Sequence, residues 1–208
     1  MAKIDESQTP LSLDRLKALS DGVFAIVITI LVLELDVPES HDFTESGILA
    51  FLAKIEHQLL PYIASFALTA GYWVLHHLML KFLSRCDRNF LWLNLSFMLP
   101  LTLVPYVRGM RAEYPEEISV AVIFGAVQLA NYLLLLAIWH YGVRHLTTSP
   151  VSAKVVRGVD TRVAMAIALN IIGVLLVPVN ERLATAAFVC TPLLFVRHHL
   201  VDASASER

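Results

Sequence analysis

Charge is scarce in this sequence. Asp, Glu, Lys and Arg make up 16% of its 208 residues, against about 25% in soluble domains. The hydrophobic fraction is 57% and the mean hydropathy +0.65, which exclude an ordinary water-soluble domain. An excess of positive charge is missing too. The formal net charge is -2 and the isoelectric point near 6.4, which argues against a nucleic-acid partner. Cysteine is nearly absent. Cys86 falls in a polar connection and Cys190 inside an apolar run, so no disulfide framework is expected. C-x-x-C is lacking, which removes a zinc ribbon or dithiol redox site. No nucleophile elbow, P-loop or dinucleotide fingerprint appears. We therefore expect no enzyme and no cofactor. H-E-x-x-H is also missing. His76 and His77 are adjacent, so on a helix they point about 100° apart and cannot chelate as an i, i+4 pair does. No metal site is expected.

Long apolar runs are what the sequence has. Six candidate spans read as roughly 15–35, 59–83, 89–108, 116–140, 160–178 and 181–201. Each approaches or exceeds the ~20 residues that cross a bilayer core. Residues 1–14 read as a cytoplasmic N-terminal tail, 15–201 as the transmembrane domain and 202–208 as a cytoplasmic C-terminal tail. The first run ends in "LELDVPES". That stretch has no A-x-A-like site, so we expect a retained helix rather than a cleaved signal. The connection 36–58 is acidic (Asp36, Glu39, Asp42, Glu45, Glu56), whereas 81–89 holds Lys81, Arg85 and Arg88, and 141–162 holds Arg144, Lys154, Arg157 and Arg162. Basic residues thus collect on the side of the N-terminus, which predicts both termini in the cytoplasm. Arg108 and Arg111 are exceptions to this pattern. Residues 44–57 carry Ile48, Leu49, Leu52 and Ile55 at helical spacing and read as a short amphipathic surface helix. His198 and His199 read as cytoplasmic surface residues, and Asn131 and Asn170 as helix–helix hydrogen-bonding groups.

The first run, "RLKALSDGVFAIVITILVLEL", shows two kinds of surface. At 100° per residue, Leu19, Val23, Ile26, Ile30 and Leu33 form one stripe with Thr29 at its edge. Ser20 and Asp21 fall well away from it, and polar groups in a membrane helix normally face protein or water. Asp21 lies about two turns inside the N-terminal end. His77, with Trp73 one turn deeper, and Asn94 lie at comparable depths in the second and third runs. At 1.5 Å per residue they share a layer roughly 8–11 Å in. Ser20, Asp21, Trp73, His77 and Asn94 are thus expected to form one buried hydrogen-bond network. Unpaired, each polar group would cost several kcal/mol in hydrocarbon.

At these residues the sequence resembles the transmembrane protein 175 family of potassium channels. "RLKALSDG" followed by "AIVIT" is similar to its first-helix signature R-x-x-x-F-S-D-G with a following A-I-x-I-T stretch. "WVLHH" and "LWLNL" resemble its second- and third-helix patterns. Leu19 departs from the signature's Phe and lacks the ring. The resemblance covers about the first half of the chain. It implies an all-α membrane protein with six transmembrane helices per subunit and the first helix lining a central pore. It also implies a single-repeat prokaryotic form that assembles as a homotetramer and conducts potassium ions. The T-V-G-Y-G filter of ordinary potassium channels is absent here. The resemblance instead assigns Ile26, Ile30 and Leu33 to an aliphatic constriction and Thr29 to selectivity. Ser20 and Asp21 then hold the helix against the second and third helices. Arg15 lies at the membrane surface, facing a carboxylate or anionic lipid. We expect a multi-pass protein of the cell membrane, with membrane lipids as its surroundings. The rival reading is a secondary transporter or proton-coupled carrier using Asp21 and His77 as a relay. Paired broken helices in two halves, often seen in transporters, are not apparent.

Overall fold

The structure is a computed structural model and describes residues 12–35, 47–114, 116–192 and 194. It is all-helical among the described residues. α1 spans Leu13–Ile30 and tightens into a 3₁₀ turn, Leu31–Glu34. α2 spans Gly47–Lys81, α3 Arg88–Thr102, α4 Val104–Glu113, α5 Ile118–His145, α6 Ala153–Leu176 and α7 Glu181–Cys190. With α3 and α4 taken as one broken span, these make six helical segments. Among the described residues, five stretches are long and apolar enough to cross a membrane: Leu13–Glu34, Pro61–Lys81, Arg88–Glu113, Ile118–His145 and Ala153–Leu176.

The helix starts follow from capping. Ser12 Oγ accepts the Arg15 N–H at 3.3 Å, Asp87 Oδ1 the Phe90 N–H at 2.8 Å, and Asn180 Oδ1 the Leu183 N–H at 3.2 Å. Each satisfies a donor that the first helical turn leaves without a partner. The other carboxylate oxygen of Asp87 accepts the Tyr141 hydroxyl at 2.8 Å, so one side chain caps α3 and ties it to α5. The break between α3 and α4 falls at Leu103. Pro105, just inside α4, has no N–H for the carbonyl four residues back, and its ring crowds that carbonyl.

Several boundaries differ from the sequence reading. Residues 47–57 are not a separate surface helix but the first turns of α2; residues 44–46 lie outside the described residues. The helix passes through Pro61, which removes one hydrogen bond without ending it. The third span runs on to Glu113 and the fourth to His145. The basic connection after the fourth is therefore short. Lys154, Arg157 and Arg162 lie on α6, whose N-cap is Ser152. The sequence pattern assigns the polar residues at these ends to loops, yet they occupy helix termini, where charged side chains reach water. Of the expected sixth span, Glu181–Cys190 is helical; residues 195–201, including His198 and His199, lie outside the described residues.

The main core brings Phe24 and Val27 of α1 together with Leu68, Tyr72, Leu75 and Met79 of α2, Phe90 and Phe97 of α3, and Tyr132, Leu135 and Trp139 of α5. α1 packs on α2 and α3, α5 lies against α3 and α4, and α6 joins α5 to α7. The Asn170 amide donates to the Gly125 carbonyl at 2.9 Å, a polar tie between α6 and α5. Asn131 instead bonds within its own helix, to Val127 O at 3.0 Å. At the α2–α3 connection, the N–H and hydroxyl of Ser84 both donate to the Leu146 carbonyl, at 2.9 and 3.0 Å. Arg85 donates to the His145 carbonyl at 2.7 Å. Cys86 and Cys190 are both free thiols.

Candidate pore helix and its polar support

α1 presents two contrasting faces. Leu16, Ser20, Phe24 and Val27 are buried, and Leu31 continues that face into the 3₁₀ turn. The opposite face carries Leu19, Ile26, Ile30 and Leu33. Ile26 is 59% exposed, Ile30 40% and Leu33 77%. The change to 3₁₀ geometry matters for Leu33. Residues i and i+3 eclipse in a 3₁₀ helix, so Leu33 stays close above Ile30. The Thr29 hydroxyl lies 2.9 Å from both the Ala25 and Ile26 carbonyls and is exposed. Its proton is directed onto its own helix, and its oxygen lone pairs remain free to face water or a cation.

The polar residues of the expected network fall into two groups. The buried group joins three helices. Asn94 of α3 donates to Ser20 Oγ at 3.0 Å, and Ser20 donates to the Leu16 carbonyl at 2.8 Å. His76 Nε2 lies 2.7 Å from Asn94 Oδ1. The carbonyl at the end of this chain can only accept, and that fixes every other direction. Ser20 spends its proton on Leu16, so Asn94 must donate to Ser20. Its carbonyl oxygen then faces His76, which donates through Nε2–H. The His76 ring stacks on Phe97 at 5.6 Å and meets Phe24 at 5.7 Å.

The second group is exposed. The Trp73 indole donates to Asp21 Oδ1 at 2.8 Å, and the His77 ring stacks on Trp73 at 5.3 Å. Thus His76, not His77, faces Asn94. Ser20 and Asp21, neighbours in sequence, serve different partners because they point about 100° apart. Among the described residues no hydrogen bond joins Asp21 to His77. The indole between them is a donor only, so it cannot itself pass a proton from one to the other. The Arg15 side chain is exposed at the start of α1.

One further cluster is not visible in the charge pattern, where Arg108 is only an exception. Arg108 is buried in the bundle and donates to the Gln58 carbonyl of α2 at 3.3 Å. Glu34, at the end of α1, acts on the same guanidinium electrostatically. An acidic residue ending one apolar run and an arginine ending another were the available signal.

Apolar helices of membrane-crossing length, with polar side chains meeting between them, define a multi-pass helical membrane protein. Residues 15–105 match the family described as "Endosomal/lysosomal potassium channel TMEM175". A Streptomyces collinus protein named as a potassium channel is 33% identical over 193 residues, covering 90% of this chain and 88% of its own length. The chain belongs to the TMEM175 family, a family of channels rather than an enzyme class. The crystal structure of a lysosomal potassium-selective channel TMEM175 homolog from Chamaesiphon minutus matches it with a TM-score of 0.75 at 25% identity. That match covers 88% of this chain and 95% of that one. A mouse protein named as the endosomal/lysosomal proton channel TMEM175 is 31% identical over 153 residues, 66% of this chain and 30% of its own length.

Proposed function

We propose that this protein is a potassium-permeable cation channel of the cell membrane, with both termini cytoplasmic and four copies of α1 surrounding the conduction path. The observation that carries this reading is the divided surface of α1. Its branched apolar stripe is uncovered within the subunit, whereas the opposite face is packed and hydrogen-bonded to α2 and α3. One such helix cannot enclose a path, so the functional unit is a closed symmetric ring. Ile26, Ile30 and Leu33 form stacked apolar rings at its axis, and the Thr29 oxygen contributes to selectivity beside them. Family membership and potassium-channel relatives support the choice of ion.

Two measurements test this reading. Mass determination in mild detergent is expected to give a tetramer, and a conducting monomer would refute the assembly. Reconstitution in planar bilayers under opposed potassium and sodium gradients is expected to give unitary currents reversing towards the potassium potential. Slow, stoichiometrically coupled flux without unitary currents would instead establish a carrier.

A further inference from the structure

The C-terminal end of α1 is built differently from the rest of the helix. Its last turn is 3₁₀, with Leu31 fully buried and Leu33 the more exposed neighbour. Glu34 follows, and its carboxylate does not share the exposed face of Leu33. It lies against Gly109 of α4, so closely that a Cβ added there would coincide with the carboxylate. The carboxylate thus occupies the space that a side chain at residue 109 would take, so a Cβ there would displace the tip of Glu34. The preceding residue, Arg108, carries a guanidinium within electrostatic reach of that carboxylate. Its guanidinium is buried, and Nε and one terminal nitrogen lack hydrogen-bond partners among the described residues. A buried cation so incompletely paired is costly, and a nearby carboxylate offsets that cost. Arg108 also reaches the Gln58 carbonyl, three residues before Pro61. The end of α1 therefore rests on α4, which begins after the break at Leu103, and through Arg108 on the proline-containing stretch of α2.

We propose that Glu34, seated against Gly109 beside Arg108, is a positioning residue that sets the C-terminal mouth of the pore and hence the spacing of the Leu33 ring. This inference rests on the pore reading above. A one-residue link couples the two side chains. Because Glu34 is held outward on α4, a shift of α4 moves Leu33 with it. The dock requires both the empty space at Gly109 and the attraction between Glu34 and Arg108.

The test is a double-mutant cycle read by single-channel recording and by thermal melting of the purified protein. Gly109→Ala alone is expected to change the mean open probability about fivefold or more, a typical coupling between interacting elements. In the Glu34→Ala background the same substitution is expected to change it less than about twofold, because nothing remains to collide. Glu34→Gln keeps the shape and removes the attraction, and is expected to shift open probability in the direction of Glu34→Ala. This near-isosteric variant keeps the test open if Gly109→Ala fails to fold. An equal effect of Gly109→Ala in both backgrounds would overturn the dock. Coupled melting temperatures with open probability unchanged in every variant would also overturn the proposal, leaving a purely structural contact. Ile26→Asn serves as the control. If it alters conductance while the Glu34–Gly109 cycle is flat, this inference fails and the pore reading stands. If Ile26→Asn is also silent, the pore reading fails and takes this inference with it.

Discussion

Replacing Ile26 with Asn is expected to raise the basal current about tenfold, equivalent to lowering the barrier by about 1.4 kcal/mol. A narrow apolar ring opposes a hydrated cation in two ways. It supplies no ligand for the water the ion must shed, and it dewets readily. In the proposed tetramer, four amides at the Ile26 level would remove both obstacles, so potassium over sodium selectivity is expected to fall with the rise in current. Val27 is the internal control. It is buried against the subunit core, one residue from Ile26 but on the packed face. Val27→Asn buries an amide without a designed partner, and should lower folded yield while leaving the conductance of surviving channels unchanged. Thr29→Val nearly preserves volume and deletes the hydroxyl. It is expected to reduce selectivity without altering assembly. Single-channel recording in bilayers of defined lipid reads all three. Silence at Ile26 combined with altered conductance and selectivity at Val27 would show that the pore face has been assigned to the wrong side of α1.

The two faces of α1 could be read in sequence because its apolar stripe and its polar residues separate cleanly on a helical wheel. The layer shared by the second and third helices was also legible, since depth depends only on residue count. Phase was harder. The packed residues of α2 follow Leu68, Tyr72, Leu75 and Met79, a stripe that includes His76 and excludes Trp73 and His77. Both sides of a membrane helix are apolar, however, so hydrophobicity alone does not identify the packed one. The choice between two consecutive histidines therefore rested on Trp73 sharing a face with His77. That neighbourhood is real, but it belongs to the exposed Asp21 group. Helix ends were misplaced for another reason. Charged residues at 141–162 suggested a loop, whereas α5 and α6 extend helical structure through most of it. Arg108 was legible as a charge but not as a buried one. Its pairing joins residues far apart in sequence, and only packing brings α1 and α4 together.

The buried Ser20–Asn94–His76 chain carries the second large prediction. His76→Phe retains a ring against Phe24 and Phe97 but leaves the Asn94 carbonyl without its donor. Asn94→Leu leaves the His76 N–H unpaired and removes one bond from Ser20. A buried group left without its partner costs about 1–3 kcal/mol, and measured couplings between membrane helices average about 0.6 kcal/mol with a maximum near 1.7. Each single substitution is therefore expected to destabilise by about 1–3 kcal/mol, because both groups are enclosed by side chains that cannot readily supply another partner. The double substitution should lose less than the sum by about 0.5–1.5 kcal/mol, since removing both partners leaves neither one unsatisfied. Ser20 retains its bond to the Leu16 carbonyl in every variant. His77→Phe provides the comparison. It preserves a ring beside Trp73 on an exposed surface and breaks no hydrogen bond among the described residues, so its loss should stay below about 0.5 kcal/mol. Unfolding monitored by tryptophan fluorescence in detergent measures the four variants on one scale. Strict additivity of His76→Phe and Asn94→Leu would count against contact between the two side chains. A loss at His77→Phe equal to that at His76→Phe would place the working histidine on the other face of α2, and with it the side on which the second helix supports α1.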